Sequence, residues 1–224
     1  MTFHIITIFP EIFNSYFNES IIRRAKEKGK IKIKIYDLRN WASGRHRAVD
    51  DKPYGGGAGM VLMAEPLFKA VHDIKKKIPK KEKTRVILFS AKGKKYNQTR
   101  AKKFVGFKNF IMICGRYEGV DERVAKYLAD EEISAGDFVL TGGEIPAMIL
   151  VDSISRLLPG VLGNKESLVR ESHDEEGYLE YPHYTRPEIL TVKKKKMKAP
   201  KILLSGDHGK IEEWRKKNSK IVVQ

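Results

Sequence analysis

Hydrophobic and polar positions along the first two thirds of the chain fall into short blocks of two kinds. Residues 2–9 (TFHIITIF) form a β-branched and aromatic run closed by Pro10, the pattern of a buried strand. Ser20 is placed to cap a helix through Lys28, and Gly29 stands at the position where a helix commonly ends. IKIKI at 31–35 alternates apolar and basic residues, which predicts a strand with one wet face. Pro66 opens a helix that continues to about Lys77. Val86–Phe89 and Phe110–Cys114 are short apolar runs followed by glycine-containing turns, whereas Val120–Ala129 and Glu144–Leu158 have helical character. Strands alternating with helices predict an α/β domain with a largely parallel sheet.

The pattern changes near Pro159. Residues 163–181 are polar, charged and poor in core residues, as in a linker. Beyond them come PHYTRPEIL, a lysine run and a helix around Asp207–Lys217, with Ile211 and Trp214 three residues apart on one face. The expected organisation is a first domain over 1–161, a linker over 162–174 and a small basic helical domain over 175–224.

Composition narrows the function classes. The chain has 224 residues with a hydrophobic fraction of 41%, enough to bury a core. Lys and Arg number 44 against 28 acids, a formal charge of +16, which favours an anionic partner. Lysine runs such as Lys75–Lys77 and Lys193–Lys196 fit a solvated surface equally well. Cys114 is the single cysteine, so neither an internal disulfide nor a cysteine-based zinc site is expected. The first residues read as a core strand with no basic leader, and no apolar stretch is long enough to span a bilayer, so a soluble cytoplasmic protein is expected. Neither G-x-G-x-x-G after a strand nor G-x-x-x-x-G-K-[ST] occurs, which argues against dinucleotide and P-loop sites. His46, His173, His183 and His208 are scattered, without metal-ligand spacing.

Three glycine-containing stretches carry the candidate chemistry. RHRAVDDKPYGGGAGM (45–60) holds three consecutive glycines, which are costly in a helix or strand and useful where the backbone bends tightly or a ligand approaches. CGRYEGVDERV (114–124) follows a buried strand, at the strand end where open α/β sheets bind ligands, with Asp121 as a candidate helix N-cap. SAGDFVLTGGEIPAM (134–148) sets Gly136, Gly142 and Gly143 around an expected short strand. A flexible surface loop or a plain turn would explain any one of them. Three in one α/β domain suggest a shared pocket.

These stretches, with LPGVLGN and PHYTRP in the same order and at these spacings, closely resemble the bacterial tRNA (guanine-N1)-methyltransferases, the TrmD family of the SPOUT superfamily. The resemblance runs from FPEIF near the start to LLSGDHGKIEEWR at 203–215, nearly the whole chain. It implies a SPOUT-type parallel sheet with a deep trefoil knot, a small helical C-terminal domain, and a homodimer whose active sites are shared between subunits. It implies transfer of a methyl group from S-adenosylmethionine to N1 of the guanosine just 3′ of the anticodon in tRNA. A role for Mg2+ stays open.

Carried onto this chain, the resemblance places Leu88, Phe89, Ser90, Gly115, Tyr117, Glu118, Ala135, Gly136, Asp137, Phe138, Val139, Leu140, Gly142, Gly143 and Pro146 around the methyl donor. It places Asp50 and His183 on the guanosine side, and Arg156 where an arginine supports charge developing on the base. In the family an aspartate of the linker is the proposed base, within a tripeptide of acid, serine and aromatic. Here the tripeptide is Glu171-Ser172-His173, so glutamate stands in for aspartate and histidine for the aromatic. Glu171 is favoured on its position, with Asp174 the competing acid. Ala58 and Ala91 replace prolines common in the family, and the chain ends at Gln224, short of the usual tail. The rival readings are an RNA-binding protein that keeps the fold without catalysis and a SPOUT methyltransferase acting on another RNA.

Overall fold

The computed structural model describes residues 1–163, 171–175 and 177–221. It divides into two compact units, 1–163 and 164–224. The first unit runs β1 (Thr2–Thr7), α1 (Asn14–Phe17), α2 (Ser20–Glu27), β2 (Lys32–Asp37), β3 (Asp50–Asp51), β4 (Val61–Leu62), α3 (Ala64–Lys76), β5 (Thr84–Lys95), α4 (Gln98–Phe104), β6 (Asn109–Cys114), α5 (Glu122–Tyr127), β7 (Glu131–Ser134) and α6 (Glu144–Ser155). Five strands form one sheet in the order β2-β1-β6-β5-β7, every neighbouring pair parallel.

Alternation along the central strands sends side chains to two separate cores. Phe3, Ile5, Ile87, Phe89, Phe110, Met112 and Cys114 pack with α2, α4 and α6 on one face. Ile6, Val86, Leu88, Ile111 and Ile113 pack with α3 and α5 on the other. A sheet covered on both faces makes its middle strands near-continuous apolar runs, and β6 is buried along its whole length. The edge strand β2 exposes Lys32 and Lys34 and tucks Ile33 inward, as its alternation predicts.

Several boundaries differ from expectation for identifiable reasons. Ser20 begins α2 in a left-handed conformation (φ 48°) and makes no capping hydrogen bond. Gly29 does close the helix, at φ 66°, with its N–H on the Lys26 carbonyl. β5 continues well past Phe89, because Lys94 and Lys95 pair with Ile133 and Ser134 of β7. That extension is held by backbone hydrogen bonding, so its polar sequence gives no strand signal. β7 itself carries Glu131, whose charge is met by Arg85 (3.0 Å) and Arg100. The short strand expected between Gly136 and Gly142 is irregular backbone, with a single bridge between Gly142 and Arg116.

Among the described residues, the second unit is mixed rather than helical. β8 (Tyr178–Leu179) pairs with β11 (Lys220–Ile221), β9 (Ile189–Val192) with β10 (Lys195–Lys198), and α7 (His208–Asn218) is its one α-helix. Asp207 caps α7 by accepting from the Lys210 N–H (3.1 Å). Trp214 lies edge-on to Tyr181 and Tyr184, so aromatic contacts stand in for a larger core. Of the linker expected at 162–174, residues 164–170 lie outside the described ones. Residues 171–174 are folded: Asp174 N–H donates to the Glu171 carbonyl (3.0 Å) and His173 N–H to that of Tyr178 (2.6 Å). No helix among the described residues is long and apolar enough to cross a membrane.

Candidate active site

The three glycine stretches converge at the carboxyl ends of β5, β6 and β7. The first docks on the second: Glu118 N–H donates to the Met60 carbonyl (3.0 Å) and Leu62 N–H to that of Gly119 (3.0 Å). Gly59 sits at φ 84° with the Glu118 side chain where a Cβ would lie (2.6 Å from Glu118 Cγ), so its lack of a side chain lets the two loops close. The second docks on the third: Gly143 N–H donates to the Gly115 carbonyl (2.9 Å), and Arg116 bridges Gly142. A Cβ on Gly143 would stand 2.7 Å from the Cys114 Cα and 3.0 Å from the Gly115 nitrogen, both backbone atoms.

Between the second and third stretches lies a cleft of about 490 Å³, within the size range of small-molecule sites. Leu88, Phe89 and Ser90 enter it from β5, Gly115, Tyr117 and Glu118 from the loop after β6, and Ala135 from the end of β7. Phe138, Val139, Leu140, Gly142, Gly143 and Pro146 supply the rest of the expected donor residues found there. Gly136 and Asp137 do not line it. Gly136 turns the chain through hydrogen bonds with Ser134 Oγ, and Asp137 pairs with Lys95 at the surface. The glycine-rich 55–60 stretch stays outside the cleft and buttresses its neighbour.

Arg116, Gly119, Val120, Glu122, Ser134 and Thr141 also line it from within the two glycine stretches, and Ala91, Lys92, Ala125, Glu132 and Ile133, which were not expected at the donor, complete the lining. Lys92 and Glu122 are paired, which raises the pKa of the ammonium and lowers that of the carboxylate, the mutual hydrogen bond being the main cause in each. Glu132 Oε1 is buried and has no hydrogen-bond partner among the described residues. Tyr117 is held at φ 60°, a costly conformation outside glycine, between the Glu118–Met60 and Gly119–Arg116 backbone bonds. Burial drives the Cys114 thiol well above its ordinary pKa, so it is a packing residue and no nucleophile.

The expected guanosine-side and catalytic residues fall in both units. In the first, Asp50 is half-buried in the β3–β4 hairpin, paired with Leu62, and Arg156 is half-buried just past α6. In the second, Glu171 and Asp174 are half-buried in one turn, while His183 is exposed, paired with Glu180 and tilted against the Tyr181 ring (centroids 4.9 Å apart).

The profile of the family described as tRNA (Guanine-1)-methyltransferase TrmD matches residues 1–223. This chain belongs to that family. A TrmD-family relative from Clostridioides difficile, named tRNA (guanine-N(1)-)-methyltransferase, is 50% identical over 225 residues, 98% of this chain and 92% of its own length. Like-named relatives from Listeria monocytogenes (50%) and Dehalococcoides mccartyi (48%) each cover 98% of this chain, aligned over 87% and 86% of their own lengths. Membership of the TrmD family extends through the second unit, where composition had offered little beyond basic charge.

Proposed function

We propose that this chain transfers a methyl group from S-adenosylmethionine to N1 of guanosine-37 of tRNA, just 3′ of the anticodon. The observation that carries the reading is the cleft formed where the loops after β6 and β7 meet, in a chain of the TrmD family. Its residues suit the donor. Backbone at 115–119 and 138–143 offers N–H and C=O groups at close range, and Phe89, Phe138 and Pro146 offer apolar surface. When bound, the donor supplies an activated methyl group on its sulfonium.

The rest of the chemistry falls to side chains of this chain. Guanine N1 carries a proton at neutral pH, and a base must take it as the methyl arrives. We assign that proton to Glu171, and the charge left on the neighbouring O6 to Arg156. Asp50 and His183 hold the nucleotide. Residues 1–161 provide the donor site and residues 175–224 grip the RNA, with the 162–174 segment carrying the base.

Two further features belong to this reading. The first is a trefoil knot. Gly93 lies so close to β7 that a Cβ there would stand 2.5 Å from the Ile133 nitrogen, and the chain leaving β7 returns onto the end of β6 at Gly143. Those close approaches lie where the knot implied by the family resemblance would thread, a topology otherwise rare in proteins. The second is a homodimer, supported by the apolar residues that α6 and its neighbours leave exposed: Phe9, Ile12, Tyr16, Ile145 and Ile149.

The test is methyl incorporation from labelled S-adenosylmethionine into tRNA transcripts that differ only in the base 3′ of the anticodon, with and without Mg2+. Incorporation is expected with guanosine alone. Donor binding without incorporation into any transcript would point to an RNA-binding protein, and incorporation at another site to a different RNA substrate. In single-turnover assays Glu171→Gln should slow transfer by about a hundred- to ten-thousand-fold. Glu171→Asp should restore much of it, and Asp174→Asn should change little. The reverse pattern would move the base to Asp174.

A further inference from the structure

Glu144 is 2% exposed, yet it does not line the cleft. Its carboxylate accepts from Thr7 Oγ1 (2.7 Å) and pairs with Arg116 Nε (3.0 Å). The Arg116 guanidinium also lies 4.6 Å from the centroid of the Phe9 ring. Three elements therefore meet on one buried carboxylate: the end of β1, the loop after β6 and the first turn of α6. A carboxylate in the first turn of a helix is favoured by the backbone dipole, which helps offset its desolvation.

The pair also bears on the cleft. Arg116 belongs to one cleft-lining loop, and Glu144 directly follows the other. Gly142 is wrapped between them: a Cβ there would stand 2.6 Å from Glu144 Oε2 and would collide with the Arg116 side chain. The Gly142–Arg116 bridge and the Gly143–Gly115 hydrogen bond add backbone links beside it.

We infer that Glu144, braced by Thr7, is a positioning residue for donor binding: its ion pair with Arg116 fixes the separation of the two loops that shape the cleft. The inference rests on the donor reading of that cleft. Neutralising Glu144 leaves the guanidinium without its anion, and Arg116 then leaves its place beside Gly142. Loop spacing changes and donor affinity falls, although Glu144 touches no donor atom.

Calorimetric titration of the full chain with S-adenosylmethionine tests this, alongside thermal unfolding. Glu144→Gln should weaken binding about tenfold, the change expected when some 1.4 kcal/mol of loop positioning is lost. Thr7→Val should weaken it in the same direction, and Thr7→Ser, which keeps the hydroxyl, should bind within about twofold of wild type. Ile74→Val, a core change in α3 away from the cleft, supplies the stability control: it should lower the melting temperature without moving affinity. Should Glu144→Gln fail to fold, the Thr7→Val and Thr7→Ser pair decides alone. If the wild-type chain binds the donor while Glu144→Gln and Thr7→Val bind as tightly, the positioning role is overturned and the donor reading stands. A wild-type chain that binds no S-adenosylmethionine overturns both.

Discussion

At single residues, close backbone approach decides more than side-chain chemistry does. Gly143 is the clearest case, because its missing Cβ is what allows β6 and the third loop to touch backbone to backbone. Gly143→Ala forces that contact apart, and a flexible side chain cannot absorb the clash. Overpacking of this kind costs on the order of 1–3 kcal/mol. The expected result is a donor affinity reduced about tenfold or more, with far-ultraviolet circular dichroism unchanged. An affinity equal to wild type would show that the loops can part without disturbing the cleft. Of the residues that the family resemblance placed at the donor, all but Gly136 and Asp137 line the cleft, and the glycine stretches marked two of the loops that shape it. Lys92 and Glu132 were not legible, since a lysine in AKGKK and a glutamate in DEEIS look like solvated charges. Their positions follow from where β5 and β7 end.

Among the elements, β1 shows how burial alters a side chain without catalytic purpose. His4 is 4% exposed, stacks on Tyr36 and shares a hydrogen bond with its hydroxyl (3.0 Å). Burial, helped by the nearby Lys34 charge and opposed by a hydrogen bond to Asn109, lowers its pKa from 6.5 to about 4. Between those two values the unfolded chain binds a proton that the folded chain refuses, so stability must fall as pH drops through this window. The loss amounts to roughly 3 kcal/mol by its lower end. Above the unfolded value the residue contributes no slope. Urea midpoints measured from pH 7 down to the acid end of the window should decline more steeply for wild type than for His4→Gln. Parallel declines would place the acid sensitivity elsewhere. The existence and type of β1, β2, β6 and α6 were readable from the apolar pattern, with ends displaced by up to three residues. The second half of β5 and all of β7 were not, because parallel pairing satisfies backbone groups whatever side chains they carry.

For the whole molecule, α6 poses the question of assembly. Its inner side packs Ala147, Leu150, Val151 and Ile154 into the core, while Ile145 (52% exposed) and Ile149 (41%) face outward one turn apart. A helix apolar on two sides asks for cover on both. The homodimer proposed above meets that demand if a second copy lies on the outer face. Light scattering should then give about twice the 25.6 kDa chain mass. Ile145→Glu with Ile149→Glu should give a monomer that has lost methyl transfer. Mixing Glu171→Gln with Gly143→Ala chains should recover part of the activity when sites are shared between subunits. A fully active monomer would count against both the dimer and the shared site.

By itself the sequence determined the α/β class, the parallel sheet, the family and most of the loops around the cleft. The class and the sheet are written in local terms, since apolar periodicity sets which face of an element is buried, whereas the family is carried by the resemblance of long motifs in order along the chain. Only the tertiary structure decided that the 55–60 stretch is a buttress outside the cleft, that β5 runs on beside β7, and that Thr7 and Arg116 meet on the buried carboxylate of Glu144. Thr7 and Glu144 are 137 positions apart in the chain. No periodicity or motif links residues at that distance, because their contact depends on where three separate elements end.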